Sequence, residues 1–479
     1  MVRILALLGL LVYFGILIFA VTRDKKSKNE YDFFFGGRNL PFWALSITFV
    51  ASWWGAGSTL STADLAFEEG LGAYFYYGVP VLISALFIVL GSESIRKVGY
   101  LTQGEMMKER YSKKVSDFLS IMILIFMTFN AAAQMVGVGD FFGSYLGIPY
   151  EYAVILGTLI VFIYSLFGGF KAVVLTDIIQ FVLLSISAVL VFFFAFKGVG
   201  FSFETIAQAA VSKGKSGYMD MFSGLSKYGV YVFTFSCSWM IQANIWQRVS
   251  ATKNVTDAKK MAIMSFFAFI PLYLIVVFAG MSGIVLYDSL PEGGVVRAIT
   301  TDYIPLVLGV MVFIGISAAI MSTMDSLINT GAMTMVMDLG FMKNSNDIKK
   351  SRTATAIVSL VAFLIAIRFR SILKISWLAS NIITTGIFVP LVLGFVWKRG
   401  NSKGALFSMI CGFIYSTYNF LIVLGLKLPR IVEPESAKDV ILGMVISLGV
   451  YVITSLLTEP ENEKAESFMK KAGIIKGGL

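Results

Sequence analysis

Residues 49–70 read FVASWWGAGSTLSTADLAFEEG. They belong to a segment, about 41–65, that is apolar enough at its flanks to cross a bilayer. Its middle nevertheless carries Ser52, Gly55, Gly57, Ser58 and Thr59. Glycine inside a helix costs roughly 1 kcal/mol against alanine, and no water reaches mid-depth to satisfy a freed backbone group. Small and polar residues clustered there let a helix unwind and expose carbonyl oxygens. The competing reading is close helix packing through small residues. A second segment, 231–250, YVFTFSCSWMIQANIWQRVS, repeats the anomaly with Ser236, Ser238, Gln242, Asn244 and Gln247, too many polar groups for lipid. Counted along the chain these are apolar segments two and seven, five apart. Interrupted segments in corresponding places of two halves point to a transporter built from inverted repeats with its site at the breaks.

The rest of the chain agrees with a polytopic all-α membrane protein. It is 57% hydrophobic and only 14% charged, against roughly 25% charged in an average soluble domain. About thirteen spans are expected, near 4–21, 41–65, 72–95, 116–144, 150–167, 172–196, 229–247, 261–286, 304–337, 353–368, 372–397, 404–425 and 438–457. The longest polar stretch, 197–227, reads as a loop with a short helix. The first span has no clear cleavage site and a basic cluster after it, so it reads as a retained helix. With the N-terminus outside and the C-terminus in the cytoplasm, inner segments hold 27 of the 39 Lys and Arg, as the positive-inside rule requires. The formal charge of +10 thus reports topology and gives no reason to expect nucleic acid. There is no histidine, which removes Ser-His-Asp triads and His-based zinc sites, and Cys237 and Cys411 both lie in apolar segments, as small packing residues.

Two polar constellations sit inside apolar spans. Residues 315–335, GISAAIMSTMDSLINTGAMTM, place Ser322, Asp325, Ser326 and Asn329 on one helical face, with Thr323 beside them. A carboxylate at that depth costs roughly 2.5–3.5 kcal/mol on insertion scales, and a bound hard cation among oxygen ligands offsets much of it. The alternative is a helix–helix network with Asp325 protonated or paired to a lysine. Residues 164–180, YSLFGGFKAVVLTDIIQ, make a tight loop at Gly168-Gly169 and bring Asp177 six residues past Lys171. That carboxylate is either a second group on a cation path or a helix-start charge satisfied by Lys171 or Thr176.

GGFKAVVLTDIIQ (168–180) and AAIMSTMDS (318–326) resemble the two signatures of the sodium:solute symporters. DFFFGGRNLP (32–41), GYLTQGEMMKERY (99–111) and WQRVSATKNVTDAKK (246–260) are similar to the family's as well, in the same order over nearly the whole chain. The resemblance implies a single transporter domain with a LeuT-type core of five plus five inverted helices over 41–397, a leading helix at 1–22, two trailing helices at 404–457 and a cytoplasmic tail at 458–479. It implies sodium as the co-transported ion, held by the carbonyls of Ala51, Trp54 and Ala319 and the hydroxyls of Ser322 and Thr323. It further implies a possible second cation at Asp177, Asp325 and Ser326. The solute would lie beside the broken second span, with Trp53, Ser58, Tyr77, Gln134, Gln242, Asn244 and Asn381 as candidates. Asn244 stands where sugar carriers of the family have an aromatic gate, which leaves Trp239 or Trp246 as substitutes. No evident arginine clamps a carboxylate in the pocket, which counts against a strongly anionic solute.

The expected function is therefore sodium-coupled symport of a small organic solute across the plasma membrane by alternating access, without enzymatic activity and without an obligate protein partner; the partners are the solute and the lipid bilayer. The alternatives on the same fold are a proton-coupled carrier and an uncoupled facilitator or channel. A transporter-like sensor would need a signalling domain, for which 458–479 gives little room, and a membrane enzyme would need a nucleophile and base without histidine. The solute itself is not written in these motifs.

Overall fold

Hydropathy and backbone hydrogen bonding together leave helices as the only spanning element available to such a chain, and helices are what form. The computed structural model describes residues 2–23, 29–223, 225–434 and 436–475. In order they build α1 (Val2–Arg23), α2 (Glu30–Phe35), α3 (Phe42–Trp53), α4 (Thr62–Glu69), α5 (Ala73–Val98), α6 (Gln103–Arg110), α7 (Lys113–Leu146), α8 (Tyr150–Gly198), α9 (Phe203–Ser212) and α10 (Leu225–Met240). There follow α11 (Ala243–Ala251), α12 (Val255–Leu286), α13 (Val295–Asp302), α14 (Leu306–Met333), α15 (Asp347–Arg368), α16 (Ile372–Gly386), α17 (Phe388–Val396), α18 (Ser402–Val423), α19 (Ala437–Leu457) and α20 (Asn462–Lys471). Among the described residues there is no strand.

Among the described residues nine helices are long and apolar enough to cross a membrane, ten if α16 and α17, bent by 42°, are one span. The expected count of thirteen is thus not reached on length and hydropathy. The three segments that fall short are 41–65 and 229–247, which are broken, and 150–167, whose helix Tyr150–Leu166 is short. The stretch named α8 is two helices, Tyr150–Leu166 and Gly169–Gly198, that meet at a kink where the loop was expected, with Gly169 at φ 56° and ψ −166° outside helical geometry. A Cβ there would lie 2.6 Å from the Phe33 carbonyl oxygen, so glycine is required by both conformation and space.

Helix α14 is the axis of the molecule. Every residue from Gly315 to Met333 is buried, packed between α7 and α8 with α3, α11 and α15 around it. A helix apolar and buried all round belongs inside a bundle. Its polar face is therefore hidden from lipid, as a cost of several kcal/mol per unsatisfied group demands. The lipid side is built by residues such as Leu90, Phe267, Val307 and Leu360, all exposed. Helices α18 and α19 pack on each other and on α16 at the edge of the core.

Part of the expected tail is structured. Residues 462–471 form α20, whose Ala465, Phe468 and Met469 are buried against α5, α6 and α17. The basic cluster at 24–28 and the chain end at 476–479 lie outside the described residues.

Candidate functional site

The second span breaks where glycine and serine cluster. Helix α3 stops at Trp53, Trp54 leaves the helix with φ −96° and ψ 57°, and the chain resumes through a wide turn at Gly57–Ser61 into α4. The break's polar groups find local partners. Ser58 Oγ donates to the Trp53 carbonyl at 2.8 Å, Thr59 Oγ1 to Gly55 at 2.9 Å and Thr62 Oγ1 to Gly57 at 2.9 Å. The Ala56 amide donates to Gln134 Oε1 of α7 at 2.8 Å. Hydroxyls thus take over the role of the missing helical bonds. The seventh span breaks between α10 and α11. There Gln103 Nε2 donates to the freed Ile241 carbonyl at 2.8 Å and Trp246 Nε1 to Met240 at 2.9 Å. Trp53 Nε1 donates to Gln242 Oε1, which ties one break to the other.

Helix α14 passes the first break at hydrogen-bond distance. The Ala51 carbonyl accepts from Ser322 Oγ at 3.0 Å, from Thr323 Oγ1 at 3.1 Å and from the Trp54 amide at 3.3 Å. The same two hydroxyls lie 2.9 and 3.4 Å from the Ala319 carbonyl. Each hydroxyl has one proton, so it donates to one of the two carbonyls at a time. Four oxygens therefore share two protons in a buried space. A monovalent hard cation would take over these lone pairs together. The Trp54 carbonyl, the fifth expected ligand, follows on the unwound chain.

Beside this group lies a second, charged one. Asp177, Asp325 and Arg248 are each fully buried. Asp177 accepts from Thr48 Oγ1, and the Arg248 guanidinium lies 3.6 Å from its Oδ2. Arg248 also donates to Thr48 Oγ1 at 2.9 Å, to Ser326 Oγ at 2.7 Å and to the Asn244 carbonyl at 2.9 Å. Both carboxylates act electrostatically on it. Neither oxygen of Asp325 makes a well-formed hydrogen bond, although the Tyr164 and Ser326 hydroxyls act on its carboxylate, nor does Asp177 Oδ1. Neither Lys171 nor Thr176 satisfies Asp177: Thr176 Oγ1 donates to its own helix at Ala172. Arg248 follows directly on the expected span 229–247, where a basic residue next to Lys253, Lys259 and Lys260 would ordinarily mark the membrane edge. It lies instead at the centre of the polar network, because α11 carries it back under the break.

A cavity of about 30 Å³ adjoins the oxygen group, lined by Ser52, Trp53, Gly55, Tyr77, Asn130, Gln134, Trp239, Gln242 and Thr323, with Val81 and Leu327. That volume holds a water or two and no organic solute, so this conformer is contracted. Four of the candidate solute residues converge there: Trp53, Tyr77, Gln134 and Gln242. Three do not. Ser58 turns to Tyr273 Oη at 2.7 Å. Asn244 is buried behind the break, with its carbonyl on Arg248. Asn381 faces α19, where its amide lies 3.4 Å from Asp439 Oδ2. Ser52, Asn130 and Trp239 are lining residues that the candidate set lacked, although Trp239 stood as a substitute gate. It stacks on Phe235 at 4.6 Å and lies 4.9 Å from Tyr77. Asn130 carries no local signal beyond its place one turn from Gln134 on an apolar helix.

Residues 33–412 match the sodium:solute symporter family. The chain is 24% identical to the sodium/glucose cotransporter of Vibrio parahaemolyticus, over 91% of this chain and 87% of that protein. It is 25% identical to the sodium/pantothenate symporter of Haemophilus influenzae, over 96% and 98%. Its fold is similar to that of a Na+-coupled sialic acid symporter in a substrate-bound, outward-open state, with TM-score 0.79 and 19% identity over 95% of this chain and 98% of that one. With two broken spans five crossings apart, a LeuT-type helical core and a family match over most of its length, the chain belongs to the sodium:solute symporter family, whose members carry a small solute together with sodium.

Proposed function

We propose that the solute is a small neutral or zwitterionic molecule with one apolar or ring face, and that it couples to sodium through Thr323. The single observation that carries this is the double position of Thr323: its side chain lines the cavity and its Oγ1 bonds Ala51 beside Ser322. Sodium held by Ala51, Trp54, Ala319, Ser322 and Thr323 would fix the unwound chain that walls the cavity. Solute held there would in turn hold the ion, and the coupling free energy is the same in both directions. Trp53, Tyr77 and Trp239 offer an aromatic wall, while Gln134, Gln242, Asn130 and Ser52 offer amides and a hydroxyl. No charged side chain lines the cavity, which argues against a solute of net charge.

The charged group beside it supports a second cation at Asp177, Asp325 and Ser326. With both carboxylates ionised, one guanidinium would leave one uncompensated negative charge, and Asp325 is the carboxylate that Arg248 does not pair. One monovalent cation neutralises it; a proton is the alternative cargo. The distribution of Lys and Arg supports a plasma-membrane orientation with the N-terminus outside and the C-terminus inside, and residues 41–397 would be the inverted-repeat core.

Uptake into proteoliposomes tests the coupling. Ser322→Ala and Thr323→Ala are expected to raise the sodium concentration for half-maximal uptake at least tenfold with unchanged protein yield. Parental sodium dependence in both variants removes the assignment.

A further inference from the structure

A second cavity, of about 550 Å³, lies at one end of the bundle, between the ends of α15, α16 and α18 and the flank of α7. That volume is in the range of small-molecule sites. Its mouth is basic. Arg368 ends α15, Arg370 follows, and Lys374 stands in the first turn of α16, all exposed. Arg370 is engaged by Glu151 and lies 4.3 Å over the Tyr150 ring. Arg368 and Lys374 have no acidic partner among the described residues. Ser371, which also lines the cavity, caps α16 by accepting from the Lys374 amide at 3.4 Å. The positive end of that helix therefore opens on the same space. Two unpaired cations and a helix N-terminus make an electropositive mouth.

The walls below the mouth are apolar. Phe129 and Phe420 meet edge to face at 6.0 Å, and Leu378 and Val423 continue the lining along the spans. Ser371 is the one uncharged polar residue in the cavity. A water-soluble anion would leave these walls wet, and a zwitterionic headgroup would bring its own cation against Arg368 and Lys374.

The cavity is also separate from the solute site. The face of α16 that lines it, Ser371, Lys374, Ile375 and Leu378, continues at helical spacing to Asn381 and Thr385. Those two bond α19 and α18, at Asp439 and at the Gly412 carbonyl. Thr384, off that face, donates to α10 at Thr234. The cleft therefore opens toward the trailing helices and lipid, away from the breaks. Lysine and arginine at the ends of spans sit at headgroup depth, with apolar walls running inward from them.

We infer that this cleft binds one anionic phospholipid, its phosphate at Arg368, Lys374 and the start of α16, and an acyl chain along Phe129, Phe420 and Leu378. The test uses the full-length protein equilibrated with a defined mixture of phosphatidylglycerol and phosphatidylcholine, stripped by detergent exchange and weighed by native mass spectrometry. One phosphatidylglycerol per chain is expected to remain, with a preference of roughly tenfold or more over phosphatidylcholine from two cations at the headgroup. The double variant Arg368→Gln/Lys374→Gln should lose that preference while its melting temperature stays close to the parent's, since both side chains are exposed. Val423→Trp fills the apolar part and should lose the lipid with the cations intact. Three results would overturn the inference: equal retention of the two lipids by the parent, undiminished phosphatidylglycerol on the double variant, or displacement of the lipid by millimolar inorganic phosphate together with full retention by Val423→Trp.

Discussion

Arg248 shows how much one buried side chain decides. Its guanidinium reaches Thr48 on α3, Asp177 on α8 and Ser326 on α14, so a residue of one broken span holds three other helices at the site. Breaking a buried ion pair by removing one partner costs roughly 3–5 kcal/mol, because the remaining charge stays buried. Arg248→Gln is expected to lower the melting temperature of the purified protein strongly. Adding Asp325→Asn removes one of the two stranded carboxylates and should restore much of the loss. If the second substitution gives no rescue, Asp325 does not share the charge of Arg248. Both carboxylates and both hydroxyls at the Ala51 carbonyl were legible in the sequence, since each is out of place in an apolar span. Arg248 was not, because a basic residue next to Lys253, Lys259 and Lys260 has an ordinary explanation at a membrane edge. The signal that was present is electrical: two carboxylates in apolar spans call for positive charge buried beside them. Asn381 stands away from the cavity for a different reason. Its partner, Asp439, lies 58 positions on, and a contact between helices that far apart in the chain leaves no local pattern.

At the scale of the element, the breaks in spans two and seven were legible because their cause is local. Glycine, serine and threonine both weaken the helix and supply the hydroxyls that take over its carbonyls. What could not be read is how tightly a break closes on its neighbours. A Cβ added at Gly55 would stand 2.2 Å from Gln134 Oε1 and 2.9 Å from Thr323 Oγ1. The first atom holds the Ala56 amide and the second lies in the oxygen group. Gly55→Ala therefore forces one of them aside, and both bear on the proposed coupling. The variant is expected to fold, since the displaced atoms are side-chain ends, and to lose at least tenfold in apparent affinity for both sodium and solute. Equilibrium binding of each alone, by calorimetry or scintillation proximity, checks this. Loss of solute affinity with sodium unchanged would mean that Gln134 yields and Thr323 does not.

At the scale of the molecule, the two halves of the transporter meet again at the end where α20 lies. Helix α20 rests on α5 and α6 on one side and α17 on the other. Arg110, fully buried, runs beneath it from α6 to the carbonyls of Gly394, Trp397 and Gly400 at 2.7–3.0 Å. Any rocking that opens this end must carry α20 with one side and release the other. Three kinds of contact hold it, one of them the hydrogen bond from the Lys464 ammonium to the Tyr111 carbonyl. The ion pairs Lys471–Glu109 and Lys398–Glu466 join exposed side chains. They hold both acids below the ordinary carboxylate range, Glu466 at about 2 through Lys398 and Lys470, yet exposed pairs of this kind contribute little to stability. Phe468 is fully buried, with its ring 5.1 Å from that of Phe395, and truncating a buried phenylalanine to alanine costs roughly 3–5 kcal/mol. The apolar contact therefore decides whether α20 stays docked. Phe468→Ala should free the segment, seen as rapid proteolytic cleavage near residues 458–462, whereas Lys471→Ala should leave it nearly as protected as in the parent. If the docked helix restrains opening at this end, Phe468→Ala also exchanges solute faster across the membrane under equal sodium on both sides, with solute affinity retained. A freed helix with an unchanged exchange rate would limit α20 to a stabilising role.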